Sequence, residues 1–233
     1  MTHDVDFERA WLSKFSSCLD RVAGKEIAGQ VMAGSEGLSM ESSRTEVIDW
    51  SRRAMNRLDT LVEDDPRREI MTGCACQYPR EDLAETRQAW EDTGDLDLVH
   101  GMLQARFESF LGNGRELDSA LIQDVVARGW GLAGVRRENT ISATKIPKSG
   151  FLVQYMEESD PEQKRRYYCH CLRIREVLES NQTLSPTYCY CGAGYYKGIW
   201  EEILQEPVEV ELLQSVLQGD DVCQVAVHLP LET

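Results

Sequence analysis

The most informative part of this sequence is YCYCGAGYYKGIWEEIL, residues 188–204, followed after three residues by VEVELLQSVLQGDDVCQVAVHL, residues 208–229. In the first segment a glycine-bearing stretch leads into apolar residues at helical spacing, which predicts a loop entering a helix that ends near Leu204. The second segment has apolar residues on both sides of a turn at Gly219-Asp220, which predicts an antiparallel hairpin. A helix followed by a hairpin favours a mixed helix and sheet domain at this end of the chain.

Helical patterns dominate the sequence before this region. Apolar residues recur at helical spacing over residues 5–33, and Ser42 or Ser43 is placed to cap a helix that runs to about Val62. The pattern breaks at Asp64-Asp65-Pro66. Further helices are predicted over 80–92, 95–111, 116–128, 160–168 and 172–180, with a turn at Gly112-Asn113-Gly114.

Two short segments, 139–146 and 151–156, are rich in residues that favour strands and are predicted to form a two-stranded unit. The predicted fold class is therefore α+β, with a helical N-terminal half followed by a mixed helix and antiparallel-sheet domain. We place the boundary between a helical region, 1–90, and the second domain, 91–233.

The charge of the chain narrows the possible classes of protein. The 233 residues include 25 Lys and Arg against 40 Asp and Glu, which gives a formal net charge of −15. Such an acidic chain is not expected to bind nucleic acid through bulk electrostatics, nor a membrane surface through basic residues. The hydrophobic fraction of 42% is typical of a globular protein with a core that needs no disulfides.

The placement of the eight cysteines points to metal or redox chemistry. Six of them form Cys-x-Cys pairs, namely Cys74-Ala75-Cys76, Cys169-His170-Cys171 and Cys189-Tyr190-Cys191, while Cys18 and Cys223 stand alone. The start, MTHDVDFERAWLSKF, lacks the basic-then-apolar pattern of a secretory signal, and no apolar run has the length of a membrane span. A cytoplasmic location is therefore expected, and there clustered cysteines act as metal ligands or redox groups rather than disulfides.

Zinc and iron–sulfur clusters both need three or four thiolates that converge on one point. The predicted site draws on the cysteines near the C-terminus, with His170 as a further ligand or a proton carrier; its members are Cys169, Cys171, Cys189, Cys191 and Cys223. Cys74 and Cys76 are candidate ligands too, although their distance in sequence makes them the surplus pair, available for redox or catalytic work. Zinc is preferred because the chain has no ferredoxin-type run of cysteines.

The segment from Thr187 to Leu229 resembles the C-terminal part of the 4-vinyl reductase (hydrocarbon-binding) domain family. The resemblance is carried by the cysteine-bearing start of a glycine-containing helix and by a strand, an Asp-rich turn, a cysteine and a final strand. It implies a small-molecule-binding domain with an apolar or aromatic ligand between helices and sheet. It also implies a zinc ion, whose ligand near the helix matches Cys189 or Cys191 and whose last ligand matches Cys223.

The family's zinc site is not intact in this sequence. The cysteine expected on the first strand falls on Ser215, and the expected acid falls on Leu212, with Glu211 one residue away. Cys169 and Cys171 could fill the two vacant positions and rebuild a four-thiolate site.

Three functional hypotheses follow. The first is a zinc protein with a small-molecule ligand, and the second is an enzyme that uses an iron–sulfur cluster or an open metal site in redox or hydrolytic chemistry. The third is a homo-oligomeric sensor or scaffold, with a homodimer as the simplest assembly. No specific reaction or substrate follows from the sequence.

Overall fold

The computed structural model describes residues 6–115, 117–147, 149–169, 171–178 and 182–230. Over these ranges the helices are α1 (Phe7–Ala23), α2 (Lys25–Met32), α3 (Arg44–Leu61), α4 (Asp64–Gly73), α5 (Ala84–Thr93), α6 (Leu96–Arg115) and α7 (Ser119–Ala127). Then follow β1 (Val135–Arg137), β2 (Thr140–Thr144), α8 (Leu152–Glu157), α9 (Pro161–Tyr168), α10 (Leu172–Leu178), α11 (Tyr190–Leu204), β3 (Glu209–Gln214) and β4 (Gln224–His228). The fold class is α+β, as the sequence predicts.

The chain folds into two units, and each is built from segments that are distant in sequence. The first unit comprises Met1–Cys76 and Cys169–Gly194, and the second comprises Gln77–Tyr168 and Tyr195–Thr233. All three Cys-x-Cys pairs belong to the first unit, together with Cys18, whereas Cys223 belongs to the second.

The first unit is helical, and local sequence signals set its helix boundaries. Ser43 caps α3 through a capping box, in which its hydroxyl accepts from the Glu46 backbone N–H and the Glu46 carboxylate accepts from the Ser43 backbone N–H. The predicted helix over 5–33 is in fact two helices, because Gly24 adopts a φ of +85° between α1 and α2.

The apolar stripe of α1 forms part of this unit's core. Phe15 and Leu19 are fully buried, as the helical spacing predicts. Phe7, at the start of the helix, was expected on the same stripe but is 75% exposed. The spacing therefore identifies the buried face of α1 correctly, but it does not show where along the helix burial begins.

Asp64-Asp65-Pro66 begins α4 instead of ending the helical pattern. Acidic residues in a first turn interact favourably with the helix dipole, and proline is tolerated there because no intrahelical partner is lost. The three residues that were predicted to interrupt the helical pattern therefore form the start of a helix.

The second unit contains a four-stranded sheet in the order β1-β2-β4-β3, in which every neighbouring pair is antiparallel. The predicted hairpin of β3 and β4 is confirmed, with Val210 opposite Val227 and a bulge between Leu212 and Gln214. Val225, Ala226 and Val227 are consecutive and buried, so both faces of β4 are covered.

Two predicted elements of this unit are wrong. Residues 151–156 belong to a 3₁₀ turn and α8 rather than to a strand, since Leu152 and Tyr155 are buried at helical spacing. Gly112-Asn113-Gly114 lies inside α6 rather than in a turn. There the burial of Leu111 one residue earlier outweighs the cost of about 1 kcal/mol that each glycine imposes on a helix.

No helix within the described ranges combines the length and the apolar character needed to cross a lipid bilayer.

The closest packing in the first unit is made by the first turns of α11. A Cβ atom added to Gly194 would lie 2.0 Å from the carbonyl oxygen of Thr72, in the last turn of α4. Real Cβ atoms never approach so closely, and a backbone carbonyl cannot move aside cheaply. Only glycine allows α11 to pack against α4 in this way.

We expect Gly194→Ala to lower the free energy of unfolding by about 1–3 kcal/mol, because the new methyl group overlaps the Thr72 carbonyl. Gly198→Ala is the matched control, since Gly198 lies on the same helix and a Cβ there meets nothing within 4 Å. That control should gain up to about 1 kcal/mol in helix propensity. Urea denaturation followed by circular dichroism measures both, and equal effects of the two substitutions would contradict the close approach.

Candidate functional site

The candidate site is the part of the first unit that carries the three Cys-x-Cys pairs. Cys74 is the C-cap of α4, and Cys76 follows in an irregular segment. Cys189 ends the 3₁₀ turn Pro186–Cys189, and Cys191 is the second residue of α11. Cys169 and Cys171 precede α10, and His170, a predicted ligand, lies outside the described residues.

Packing of α4 brings the first and third pairs into one neighbourhood. The 3₁₀ turn that ends at Cys189 contacts α4. Gly194 packs against Thr72, which lies two residues before Cys74 in the sequence. The turn is also tied down by a hydrogen bond of 3.4 Å from the Thr187 hydroxyl to the Asp59 carboxylate. The pair that the sequence designates as surplus therefore belongs to the same region as Cys189 and Cys191.

The second pair joins this region through Tyr188. The Cys171 Sγ atom lies 3.9 Å from the hydroxyl of Tyr188. Tyr188 is the residue directly before Cys189 in the chain. The Tyr188 ring is buried and stacks on Trp11 of α1, with ring centroids 5.7 Å apart. The Cys169 thiol donates to the Cys171 carbonyl at 3.8 Å, which folds the two ends of this pair toward each other.

The thiols differ in their access to solvent. Cys74 is fully buried, and its thiol donates to the Met71 carbonyl at 3.3 Å. Cys169 is buried as well, whereas Cys76 is exposed and Cys171, Cys189 and Cys191 are half-buried. Within one neighbourhood the chain thus offers both protected and accessible sulfur atoms.

The donor chemistry suits a thiophilic metal, although a finished ligand shell is not seen. Across the described ranges, no three side chains of His, Cys, Asp or Glu form a group with metal-ligating geometry. The contacts described above bring the cysteine-bearing segments together without closing them on one point.

Three cations of the described residues, Lys14, Arg68 and Arg21, lie beside the cysteine-bearing segments. The Lys14 ammonium donates to the Ala75 carbonyl at 3.3 Å, and the Arg68 guanidinium lies 5.4 Å from the centroid of the Tyr190 ring. The Arg21 guanidinium lies 3.6 Å from the Cβ position of Gly73. No spacing in the sequence links α1 to these segments, so only the tertiary structure identifies them.

Cys223, the last predicted ligand, lies in the second unit directly before β4. Its backbone N–H donates to the Tyr168 hydroxyl at 2.7 Å, and that hydroxyl donates in turn to the Lys145 carbonyl at 2.6 Å. Burial raises the pKa of Tyr168 well above its ordinary value of 10.0, so the hydroxyl stays protonated and can donate. The predicted ligand set is therefore divided between the two units.

His100 has a structural role in the second unit. The His100 Nε2 atom lies 3.2 Å from the Ala133 carbonyl and 3.3 Å from the Gly134 carbonyl. Its imidazole therefore holds the loop before β1 against α6.

A groove of about 460 Å³ lies between α3 and the segment that precedes it in the first unit. Half of its lining residues are polar or charged, and the full lining is Gly34, Gly37, Leu38, Ser42, Glu46, Asp49, Trp50 and Arg53. This groove differs in place and chemistry from the apolar pocket between helices and sheet that the family resemblance implies.

The fold and the site together define an α+β protein with a thiol-rich helical unit and a four-stranded antiparallel sheet. The chain belongs to a family of unknown function, DUF6144, whose match covers residues 102–232. The matched segment includes Cys169, Cys171, Cys189, Cys191 and Cys223, but not Cys74 and Cys76. No curated protein and no solved structure gave a significant match to the chain.

We expect Tyr168→Phe to destabilise the protein by about 1–3 kcal/mol, because it removes hydrogen bonds from the partly buried backbone groups of Cys223 and Lys145. Tyr167→Phe, one residue earlier, is the control, since its hydroxyl forms no hydrogen bond with any described residue and its ring contact with Phe151 survives. The control should stay within about 0.5 kcal/mol of the wild type. Thermal and urea unfolding test this, and an unaffected Tyr168→Phe variant would contradict a structural role for the hydroxyl.

Proposed function

We propose that this chain is a cysteine-ligated metal-binding protein whose metal, zinc in the first instance, is held by thiolates of the first unit. The observation that carries the proposal is the joining of the three Cys-x-Cys pairs through α4, the 3₁₀ turn Pro186–Cys189 and Tyr188. Six paired thiols on segments that contact one another exceed what packing alone requires. Zinc prefers four sulfur or nitrogen ligands, and the ligands here are drawn from Cys74, Cys76, Cys169, Cys171, Cys189 and Cys191.

The start of α11 supports thiolate chemistry. Cys189 and Cys191 lie at the beginning of a helix of 15 residues, where the free N–H groups and the positive end of the helix dipole favour a thiolate over a thiol. A soft divalent cation needs this deprotonated form. Because the described side chains do not already form a ligand shell, binding would close the cysteine segments around the ion, so that metal affinity and folding of the first unit are coupled.

The same proposal includes a cytoplasmic location, where thiols stay reduced and available for metal. The likeness to the 4-vinyl reductase domain family remains a prediction, as do its apolar or aromatic ligand and a homodimeric assembly. The proposed metal binding does not depend on the family resemblance, on the ligand or on the homodimer.

An iron–sulfur or other metal-dependent enzyme is the second candidate. It is favoured by the number of thiols, because six paired cysteines leave two beyond a four-ligand site. The extra pair could then carry out redox chemistry at or beside the metal.

Elemental analysis of the full-length protein, purified anaerobically, is the direct test. We expect about one zinc ion per chain, since one four-thiolate site is the simplest use of these cysteines. Joint substitution of Cys189 and Cys191 by Ser should abolish metal binding, whereas Cys18→Ala, outside the three pairs, should leave the stoichiometry unchanged. Cys223→Ser should also retain the metal if the ligands come from the first unit.

The outcomes separate the two candidates. If the purified protein is brown, contains iron and sulfide, and absorbs visible light as clusters do, the second candidate is favoured. The bound group is then an iron–sulfur centre and not zinc. Protein that contains no metal and takes up neither Zn²⁺ nor Co²⁺ under reducing conditions would overturn the proposed function.

A further inference from the structure

Tyr155, on α8 of the second unit, combines a buried ring with a hydroxyl that no described residue uses. The residue is 4% exposed, and the centroid of its ring lies 5.6 Å from those of Trp130 and Tyr168. Within the described ranges the hydroxyl forms no hydrogen bond, and it reaches solvent although the ring is buried. Burial raises the pKa of Tyr155 to about 12, and the charge of Asp221 adds to the rise, so the hydroxyl is protonated at neutral pH and can donate.

Lys164, on α9, holds its ammonium group over the same ring. The Nζ atom lies 5.0 Å from the centroid of the Tyr155 ring, and the side chain is half-buried. A lysine on a helix commonly pairs with a carboxylate four residues away, but here Asp160 accepts the backbone N–H of Gln163 at 2.8 Å. No carboxylate of the described residues lies within ion-pair distance of Lys164. Its positive charge is therefore directed at Tyr155 without being neutralised by an acid.

A second cation acts on the Tyr155 hydroxyl from the end of α7. The Arg128 guanidinium lies 5.4 Å from the centroid of the Trp130 ring, and its charge opposes the rise that burial causes in the pKa of Tyr155. Arg128 also pairs with Asp124 at 3.0 Å, which neutralises part of its charge. The hydroxyl thus lies in the field of two cations, and only Lys164 lacks an acidic partner among the described residues.

A hydroxyl donor beside an ammonium group suits an anion that carries several oxygen atoms, because each donor can bind a different oxygen. Phosphoryl groups have this chemistry. Asp221 does not oppose it strongly, since its carboxylate pairs with Arg165 at 3.6 Å. A packing role for Tyr155 requires only the ring, because neither the ring contacts nor the cation contact involves the hydroxyl. Packing alone therefore does not explain why the residue is tyrosine and not phenylalanine.

We propose that Tyr155 and Lys164 form a binding site for the phosphoryl group of a small molecule. The Tyr155 hydroxyl donates to one oxygen of the group, and the Lys164 ammonium donates to another. This inference goes beyond the proposed function and does not rest on it, because these residues belong to the second unit and the three Cys-x-Cys pairs belong to the first. Metal binding and phosphoryl binding are thus tested separately, and either can fail without the other.

The experiment titrates full-length protein with inorganic phosphate at constant pH and ionic strength and follows the amide resonances by NMR. A sugar phosphate and a nucleoside monophosphate are titrated in the same way, and chloride serves as an anion without a phosphoryl group. The test variants are Tyr155→Phe, which keeps the ring and its cation contact, and Lys164→Met. Tyr167→Phe and Lys25→Met are the matched controls, since the Tyr167 ring contacts Phe151 and Lys25 is exposed on α2 of the first unit.

We expect the wild type to bind phosphate and both phosphorylated compounds, and chloride to leave the resonances around Tyr155 unshifted. Tyr155→Phe should weaken phosphate binding by about tenfold or more, as expected for the loss of one hydrogen bond to a charged group. Lys164→Met should weaken it at least as much, because it removes the charge that has no acidic partner. The two controls should bind within about twofold of the wild type, because surface changes elsewhere have small effects.

Several results would overturn the inference. A wild type that binds none of the three phosphoryl compounds would exclude the site. Equal affinity of Tyr155→Phe and the wild type would show that the ring serves packing alone, and equal weakening by Lys25→Met would show that only the net charge matters. Circular dichroism records whether each variant folds, and Lys164→Gln replaces Lys164→Met if the latter does not. Tighter binding of the sugar phosphate or the nucleotide than of phosphate would support the site and identify the rest of its ligand.

Discussion

The close contact between Gly194 and the Thr72 carbonyl is the constraint on which the first unit depends. It fixes the first turns of α11 against the last turn of α4, and these two helix ends are the places where Cys191 and Cys74 occur. A side chain at residue 194 would separate them. The arrangement of the thiols is therefore a consequence of backbone packing, and no direct contact between sulfur atoms is needed to explain it.

Charge is arranged around these segments in an uncommon way for so acidic a chain. Arginines of the first unit form ion pairs, as in the pairs Arg67–Asp59 and Arg44–Glu176. All four of these side chains are partly buried, and the ion pairs hold the arginine side chains in place. The net charge of −15 thus does not describe the cysteine-bearing segments, where Lys14, Arg68 and Arg21 lie close by.

Local signals in the sequence predicted local structure well. The hairpin of β3 and β4 and the cap at Ser43 follow from alternation and from a capping box, both of which act over a few residues. The errors at residues 151–156 and at Gly112 arose where burial outweighed propensity. Cys74 and Cys76 were set apart because they are remote in sequence, but α4 brings them to the turn that carries Cys189. Pair spacing identifies candidate thiols, whereas tertiary packing determines which of them are neighbours.

The match to the family covers residues 102–232 and therefore divides the first unit. The matched segment contains the sheet of the second unit and the two later Cys-x-Cys pairs, but helices α1 to α4 lie outside it. The described residues between 169 and 194 pack against those helices through Gly194, Tyr188 and the 3₁₀ turn. The two later pairs consequently depend on the N-terminal helices for their arrangement. The chemistry of the paired cysteines has to be assigned to the first unit as a whole, because neither of its two segments carries all three Cys-x-Cys pairs.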